Sequence, residues 1–155
     1  ILYSEFINVV SKKFKPSAFI GHSVGGMGLV IFLKKQTYIH TKKLVLLGTP
    51  SGFKGIMKRY KEMMGYSKNV SVGIDTYIEL KFGHPPHYFS TADFAKDIDA
   101  KGLLIHDKKD RIIPYQDALD IDTQFKNAKL ISTEGLGHSL KGDFVYDELI
   151  KFLRQ

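Results

Sequence analysis

The sequence sets a serine among glycines directly after a short apolar run. Residues 21–28 read GHSVGGMG and follow the run SAFI at 17–20. Four glycines in eight positions need a physical reason, because glycine loses more backbone entropy on folding than any other residue. A sharp strand-to-helix turn is such a reason, since it strains the backbone at Ser23, exposes the hydroxyl and requires small residues at Gly21 and Gly25. The pattern predicts a nucleophile at Ser23; the alternative is a serine that only caps a helix.

The partners that a serine nucleophile needs follow two later apolar runs. A serine hydroxyl requires a base to take its proton and a third group to orient that base. In a parallel sheet these groups are expected at the carboxyl ends of the strands, where ligands bind. The run at 102–106 leads into Asp107 and Asp110, and the run at 128–132 leads into His138. The chain therefore carries the residue types of a Ser-His-Asp triad, with either aspartate as the acid.

Apolar blocks and helical patterns alternate along the chain and predict an α/β protein. Strands that read as apolar blocks favour a mostly parallel sheet flanked by helices. Residues 51–99 break the alternation with helical segments and predict a small helical cap inserted into a single domain spanning 1–155. The predicted helices cover about 2–14, 24–35, 53–64, 74–82, 115–125 and 144–153, with a short one capped by Thr91, and the predicted strands lie near 19–20, 43–48, 102–106 and 128–132.

Composition argues against several classes of function. The 155 residues carry a formal charge of +7, but the lysines are scattered among acids and the three arginines are widely spread, unlike the basic face of a nucleic-acid-binding protein. No apolar run approaches the roughly 20 residues of a membrane span. His84 and His87 lack the spacing and carboxylates of a zinc site, so we expect neither metal nor cofactor. These features predict a soluble protein, and we expect it in the cytoplasm.

Three motifs, in order, resemble those of the serine hydrolases of the α/β-hydrolase family. They are GHSVGG at 21–26, HDKKDRIIP at 106–114, and GLGH at 135–138 before a predicted helix. The resemblance implies a partial α/β-hydrolase fold, with Ser23 as nucleophile, His138 as general base and then acid, and Asp110 as the orienting carboxylate. Asp107 stands where the family usually has glycine, which favours Asp110 as the acid. The backbone N–H of Val24 is implied as one oxyanion donor.

The resemblance covers roughly the C-terminal two thirds of the family's fold. Only 22 residues precede Ser23, and the chain begins at Ile1 rather than at a methionine, so we expect a fragment or a processed product. The family's second oxyanion donor comes from a loop after an early strand and is missing from this chain. We call the turn at Ser23 the elbow and the predicted strand before it the elbow strand. One edge of the elbow strand would then be unpaired, and we expect a missing N-terminal segment or another chain to cover it.

The implied function is hydrolysis of a small or medium carboxylic ester, or a related acyl bond, through an acyl-enzyme. Its substrate is a small molecule, and no nucleic acid is expected as partner. Two alternatives stay open: a non-catalytic ligand-binding module on the same fold, and a carbon–carbon bond hydrolase or perhydrolase.

The residues proposed to contact substrate are His22, Phe53, Met57 and Ile112. Tyr77, Phe82 and Phe89 are further candidates for an apolar acyl pocket. Helical spacing also predicts that the inner face of the first cap helix is formed by Met57, Tyr60, Met63 and Met64. Asp117, inside a later helix, is predicted to lie on the surface, and His106 to be structural.

Overall fold

The structure, a computed structural model, describes residues 2–35 and 40–155, so Ile1 lies outside it. Within these ranges a single sheet contains the strands β1 (Ala18–His22), β2 (Lys43–Leu47), β3 (Lys101–Asp107) and β4 (Ala128–Thr133). They lie side by side in chain order, and every neighbouring pair is parallel. The prediction of a parallel sheet flanked by helices is confirmed.

Helices connect the strands, as parallel pairing requires. In chain order they are α1 (Leu2–Phe14), α2 (Val24–Lys35), α3 (Phe53–Met64), α4 (Lys68–Phe82), α5 (Thr91–Ala95), α6 (Tyr115–Gln124) and α7 (Asp143–Arg154). Successive side chains of a strand point to opposite faces, and β2 divides its apolar residues accordingly. Leu44 and Leu46 enter a core that includes Phe32 of α2, whereas Val45 enters a second core with Val145 of α7.

The predicted helix boundaries needed two corrections. The second cap helix begins at Lys68 rather than near residue 74, because the Ser67 side chain accepts a hydrogen bond from the N–H of Val70 and caps it there. The short helix α5 is capped by Ser90, whose hydroxyl accepts from the N–H of Asp93, and not by Thr91.

Helices α3 and α4 lie largely outside the core. Phe53 and Ile56, near the start of α3, pack against the core, but Tyr60, Met63 and Met64 are 50%, 70% and 59% exposed. The prediction that these three residues form an inner face is wrong, because the C-terminal half of α3 extends beyond the body that its first turn contacts. Within the predicted 51–99 insertion, α5 packs against α2 and α6.

The elbow strand β1 lies at one edge of the sheet. Among the described residues it pairs only with β2, and the Ile20 side chain is half exposed. The neighbouring helix α1 buries its serines, Ser4 and Ser11, and leaves an apolar stripe exposed. That stripe contains Leu2, Phe6, Val9 and Phe14. No helix of the described residues has the length and apolar content needed to cross a bilayer.

Candidate active site

Ser23 occupies a strained turn between β1 and α2. Its φ of 54° lies in the left-handed region, which costs a non-glycine residue about 1–2 kcal/mol. Hydrogen bonds hold the turn in this conformation: the N–H of Ser23 donates to the carbonyl of Leu47 at 2.8 Å, and the N–H of Gly26 donates to the carbonyl of Ser23 at 3.0 Å. The turn therefore presents the hydroxyl above the carboxyl end of the sheet.

The glycines that permit this turn are Gly21 and Gly26. A Cβ on Gly21 would lie 2.5 Å from the Cα of Gly26, and one on Gly26 would lie 2.1 Å from Thr49 Oγ1. A Cβ on Gly25, in contrast, would meet only the Tyr3 hydroxyl, at 3.8 Å. The expectation that Gly25 provides the close strand-to-helix approach is therefore wrong, because the tight contact falls one residue later.

The structure brings Ser23, His138 and Asp110 into one hydrogen-bonded chain. His138 Nε2 lies 2.9 Å from Ser23 Oγ, and His138 Nδ1 lies 2.7 Å from Asp110 Oδ2. An ionised carboxylate only accepts, so His138 donates its Nδ1–H to Asp110 and its Nε2 accepts from the Ser23 hydroxyl. This tautomer leaves Nε2 free to take the serine proton.

His138 reaches Ser23 across most of the sheet. Its turn, Gly137–Ser139, follows β4, whereas Ser23 follows β1, and these strands are separated by three inter-strand gaps, or about 14 Å. The imidazole lies over Gly48 at the end of β2, where an added Cβ would approach His138 Nδ1 to 3.3 Å. Gly48 also has a φ of 52°. A glycine there therefore leaves the space in which the histidine ring sits.

Asp110 is built as a fixed carboxylate. Its side chain is fully buried, and its Oδ1 accepts from the N–H of Ile112 at 2.8 Å and of Ile113 at 3.0 Å. Burial raises the pKa of Asp110, but the hydrogen bonds from His138 and these two amides outweigh it and lower the pKa below its ordinary value. Asp110 is thus ionised at neutral pH and can hold the Nδ1 proton of His138.

Asp107, the other candidate acid, accepts hydrogen bonds from groups that follow β3 and from the end of β4 and the loop after it. Its Oδ2 accepts from Thr133 Oγ1 at 2.9 Å and from the N–H of Leu136 at 2.8 Å, and its Oδ1 accepts from the N–H of Lys109 at 2.8 Å. Burial raises the pKa of Asp107, but these bonds and one from Gly135 lower it to about 2. Asp107 ties the loop that carries His138 to the end of β3.

His106 lies next to Asp110 in the protein interior. It is buried, and its Nε2 lies 2.9 Å from the carbonyl of Ile113 and 3.4 Å from Asp110 Oδ2. His106 and His138 therefore both lie near the same carboxylate oxygen of Asp110, His138 at 2.7 Å and His106 at 3.4 Å. The four-residue spacing of His106 and Asp110 was the only sequence signal of this contact.

The N–H of Val24 lies at the start of α2. The first amides of a helix have no intrahelical acceptor, and the helix dipole places partial positive charge there. A negative oxygen formed on a carbonyl bound to Ser23 would be stabilised at this position.

An apolar cavity of about 260 Å³ adjoins the elbow. It lies among α1, α2, α3, the end of α4 and Phe89, and Val24 connects it to Ser23. It is lined by Leu2, Tyr3, Val24, Met27, Gly28, Ile31, Phe53, Phe82 and Phe89. Three of the proposed pocket residues, Phe53, Phe82 and Phe89, are therefore in its wall.

The other proposed pocket residues lie elsewhere. Met57 lines a second cavity, of about 460 Å³, between α3 and α4, with Lys54, Lys58 and Lys61. Ile112 is 60% exposed and contributes its N–H to Asp110, and Tyr77 is exposed on α4. His22 contacts His138 through a hydrogen bond and a ring contact, and it is not among the residues that line the apolar cavity.

Asp117 is buried, so the prediction that it lies on the surface is wrong. It accepts hydrogen bonds from the N–H of Ser51, at 3.1 Å, and from the Ser51 hydroxyl, and its Oδ2 lies 3.2 Å from Arg59 Nη1. Arg59 belongs to α3 and Asp117 to α6, so this contact joins these two helices. Its partners are distant in sequence, which is why local spacing could not reveal them.

The described residues contain no cluster of three or more histidine, aspartate or glutamate side chains arranged to hold a metal ion.

Comparison with known proteins gives matches at the level of structure. No protein-family model matches the sequence, and no curated protein matches it. The esterase domain of a Rhodothermus marinus protein superposes with a TM-score of 0.66 at 18% identity, over 95% of this chain and 64% of that one. An alpha/beta hydrolase enzyme from the metagenome of Mar Chica lagoon sediments gives 0.69 at 17% identity, over 97% and 68%.

A meta-cleavage product hydrolase from Pseudomonas fluorescens also matches, with a TM-score of 0.62 at 12% identity, over 97% of this chain and 68% of that one. The chain thus spans about two thirds of the length of these solved structures. Together with the parallel sheet and its flanking helices, these superpositions show that the chain has a partial α/β-hydrolase fold.

Proposed function

We propose that this chain carries the catalytic residues of a serine hydrolase that cleaves a small or medium carboxylic ester, or a related acyl bond. The observation that carries the proposal is the uninterrupted relay from Ser23 Oγ to His138 Nε2 and from His138 Nδ1 to Asp110. The strained backbone at Ser23 supports it, because strain of this kind persists where the surrounding structure enforces it and often serves a mechanism.

The reaction would begin with His138 Nε2 taking the proton from Ser23 as Oγ attacks the ester carbonyl carbon. Asp110 stabilises the imidazolium that forms, without accepting a proton itself. The carbonyl oxygen becomes an oxyanion near the N–H of Val24. His138 then protonates the departing alcohol, which leaves an acyl group on Ser23. Water, deprotonated by His138, attacks that acyl group, and the serine regains its proton as the acid leaves.

The apolar cavity supports the proposal that the substrate has an uncharged acyl group. Its wall is formed by aliphatic and aromatic residues, and it meets the elbow at Val24. Burying an apolar acyl chain there gains about 0.8 kcal/mol for each methylene removed from water. We therefore expect the rate to rise with acyl length until the cavity is filled.

The open edge of β1 and the exposed apolar stripe of α1 support the proposal that a further polypeptide segment packs at this position. We expect a segment of the same protein, or another chain, to pair with β1 and to supply the second oxyanion donor. Adding such a segment should raise the rate of hydrolysis without changing which serine is acylated.

The test is covalent labelling by a fluorophosphonate, followed by peptide mapping. We expect modification of Ser23, no labelling of Ser23→Ala, and strongly reduced labelling of His138→Ala. Ser67→Ala is the matched control, because it removes a serine hydroxyl that only caps α4. An intact protein that stays unlabelled at Ser23 would contradict the proposal and favour the non-catalytic binding module.

Hydrolysis of p-nitrophenyl esters of graded acyl length then tests the substrate class. A maximum at small or medium length, abolished by Ser23→Ala, is expected. Cleavage of a carbon–carbon bond next to a ketone, with no activity on any ester, would instead support the carbon–carbon bond hydrolase.

A further inference from the structure

His22 joins the nucleophile's turn to the turn that carries the base. Its Nε2 lies 2.7 Å from the backbone carbonyl oxygen of His138, although the two residues are 116 positions apart. A carbonyl only accepts, so the imidazole of His22 donates this hydrogen bond. The two rings also lie against each other, with centroids 4.9 Å apart and planes tilted by 45°.

The segment that carries His138 has a backbone that needs external support. Gly135 and Gly137 have φ values of 102° and 58°, and Leu140 adopts a left-handed conformation with φ of 50°. On the side of β3, Asp107 holds this segment through the N–H of Leu136. The bond from His22 holds it at His138 itself, on the side that faces the elbow.

We propose that His22 is a positioning residue that sets the distance between the catalytic base and the nucleophile. The inference rests on the proposed function of Ser23 and His138. His22 directly precedes Ser23, so the donor that fixes the His138 backbone and the hydroxyl that His138 must deprotonate share one rigid turn. A shift of about 1 Å in such a pair can cost about 100-fold in rate.

Three variants separate this role from simple packing. His22→Gln keeps an N–H donor at nearly the reach of Nε2, His22→Asn places its donor too short, and His22→Leu removes the donor. We expect the second-order rate of fluorophosphonate labelling to fall about 5- to 10-fold in His22→Leu and His22→Asn, as loss of one exposed hydrogen bond implies. His22→Gln should recover the rate to within about 3-fold of the unmodified protein. His87→Leu, which changes an exposed cap histidine, should leave it unaltered.

A second measurement is independent of activity. The Nδ1 proton of His138, shared with the buried carboxylate of Asp110, should give a protected proton NMR signal at low field. We expect faster exchange of this proton with water in His22→Leu and His22→Asn, and slow exchange in His22→Gln. If His22→Leu fails to fold, as judged by circular dichroism, His22→Asn replaces it.

The outcomes distinguish the inference from the function on which it rests. Labelling at Ser23 with equal rates and equal proton exchange in all His22 variants would overturn the role of His22 alone. Absence of labelling at Ser23 would overturn the proposed function, and the NMR signal would still decide whether His22 holds His138. Equal losses in His22→Gln and His22→Leu would also refute the inference, because the donor would then not matter.

Discussion

Replacing Asp107 by asparagine, which has nearly the same size, tests whether the charge and acceptor oxygens of this carboxylate hold the loop that carries His138. Its two oxygens accept from Thr133 Oγ1 and from the N–H groups of Lys109 and Leu136. An asparagine keeps one acceptor oxygen but turns the other position into a donor that faces existing donors. At least one of these hydrogen bonds must therefore break.

The magnitude follows from the pKa. The ordinary value of 3.8 and the folded value of about 2 differ by an amount worth about 2 kcal/mol of unfolding free energy at neutral pH. Because the folded pKa is lowered, this stability is fully present above about pH 4 and is lost as the pH falls through about 2. For a domain of this size, Asp107→Asn should lower the melting temperature by about 4–8 °C.

Urea unfolding of the unmodified protein and of Asp107→Asn, at pH 7, 5 and 3, measures the difference directly. The free-energy gap should be equal at pH 7 and 5 and smaller at pH 3, where part of the native carboxylate's advantage is gone. Asp99→Asn, on an exposed aspartate, is the control and should show no gap. A gap that is absent at pH 7, or that stays constant down to pH 3, would refute the assignment.

Three further substitutions test other contacts of the site. Asp110→Asn should reduce the labelling rate of Ser23 by about 10⁴-fold with the fold retained, since the amide no longer selects the His138 tautomer; an unchanged rate would exclude Asp110 as the acid. Gly48→Ala should lower the labelling rate, because the methyl group displaces the His138 ring, while strain at φ 52° removes about 1 kcal/mol of stability. Asp117→Ala should cost about 3 kcal/mol in urea unfolding by leaving Arg59 without its partner, and Asp117→Ala with Arg59→Met should recover part of it.

Local sequence patterns predicted the architecture because they are set by short-range physics. The apolar blocks at 43–48 and 102–106 became β2 and β3, and the spacing in 53–64 predicted α3 to the residue. The serine turn could be located because a left-handed serine requires small neighbours within a few positions.

Contacts between distant residues set the limit of that prediction. The spacing of Tyr60, Met63 and Met64 correctly predicted that they share a helix. It could not predict whether another element covers that helix. Asp117 is buried because it accepts a hydrogen bond from Ser51, which lies 66 positions earlier in the chain and is therefore invisible to local spacing. The choice between Asp107 and Asp110 likewise depends on partners that follow β4.

A crystal structure of the phosphonylated protein would test the central claim most directly. The account predicts phosphorus bonded to Ser23 Oγ, the phosphonyl oxygen about 3 Å from the N–H of Val24, and His138 Nε2 facing the modified serine with Nδ1 still bonded to Asp110. Phosphorus on any other side chain, or a phosphonyl oxygen directed away from α2 with His138 turned from Ser23, would contradict it.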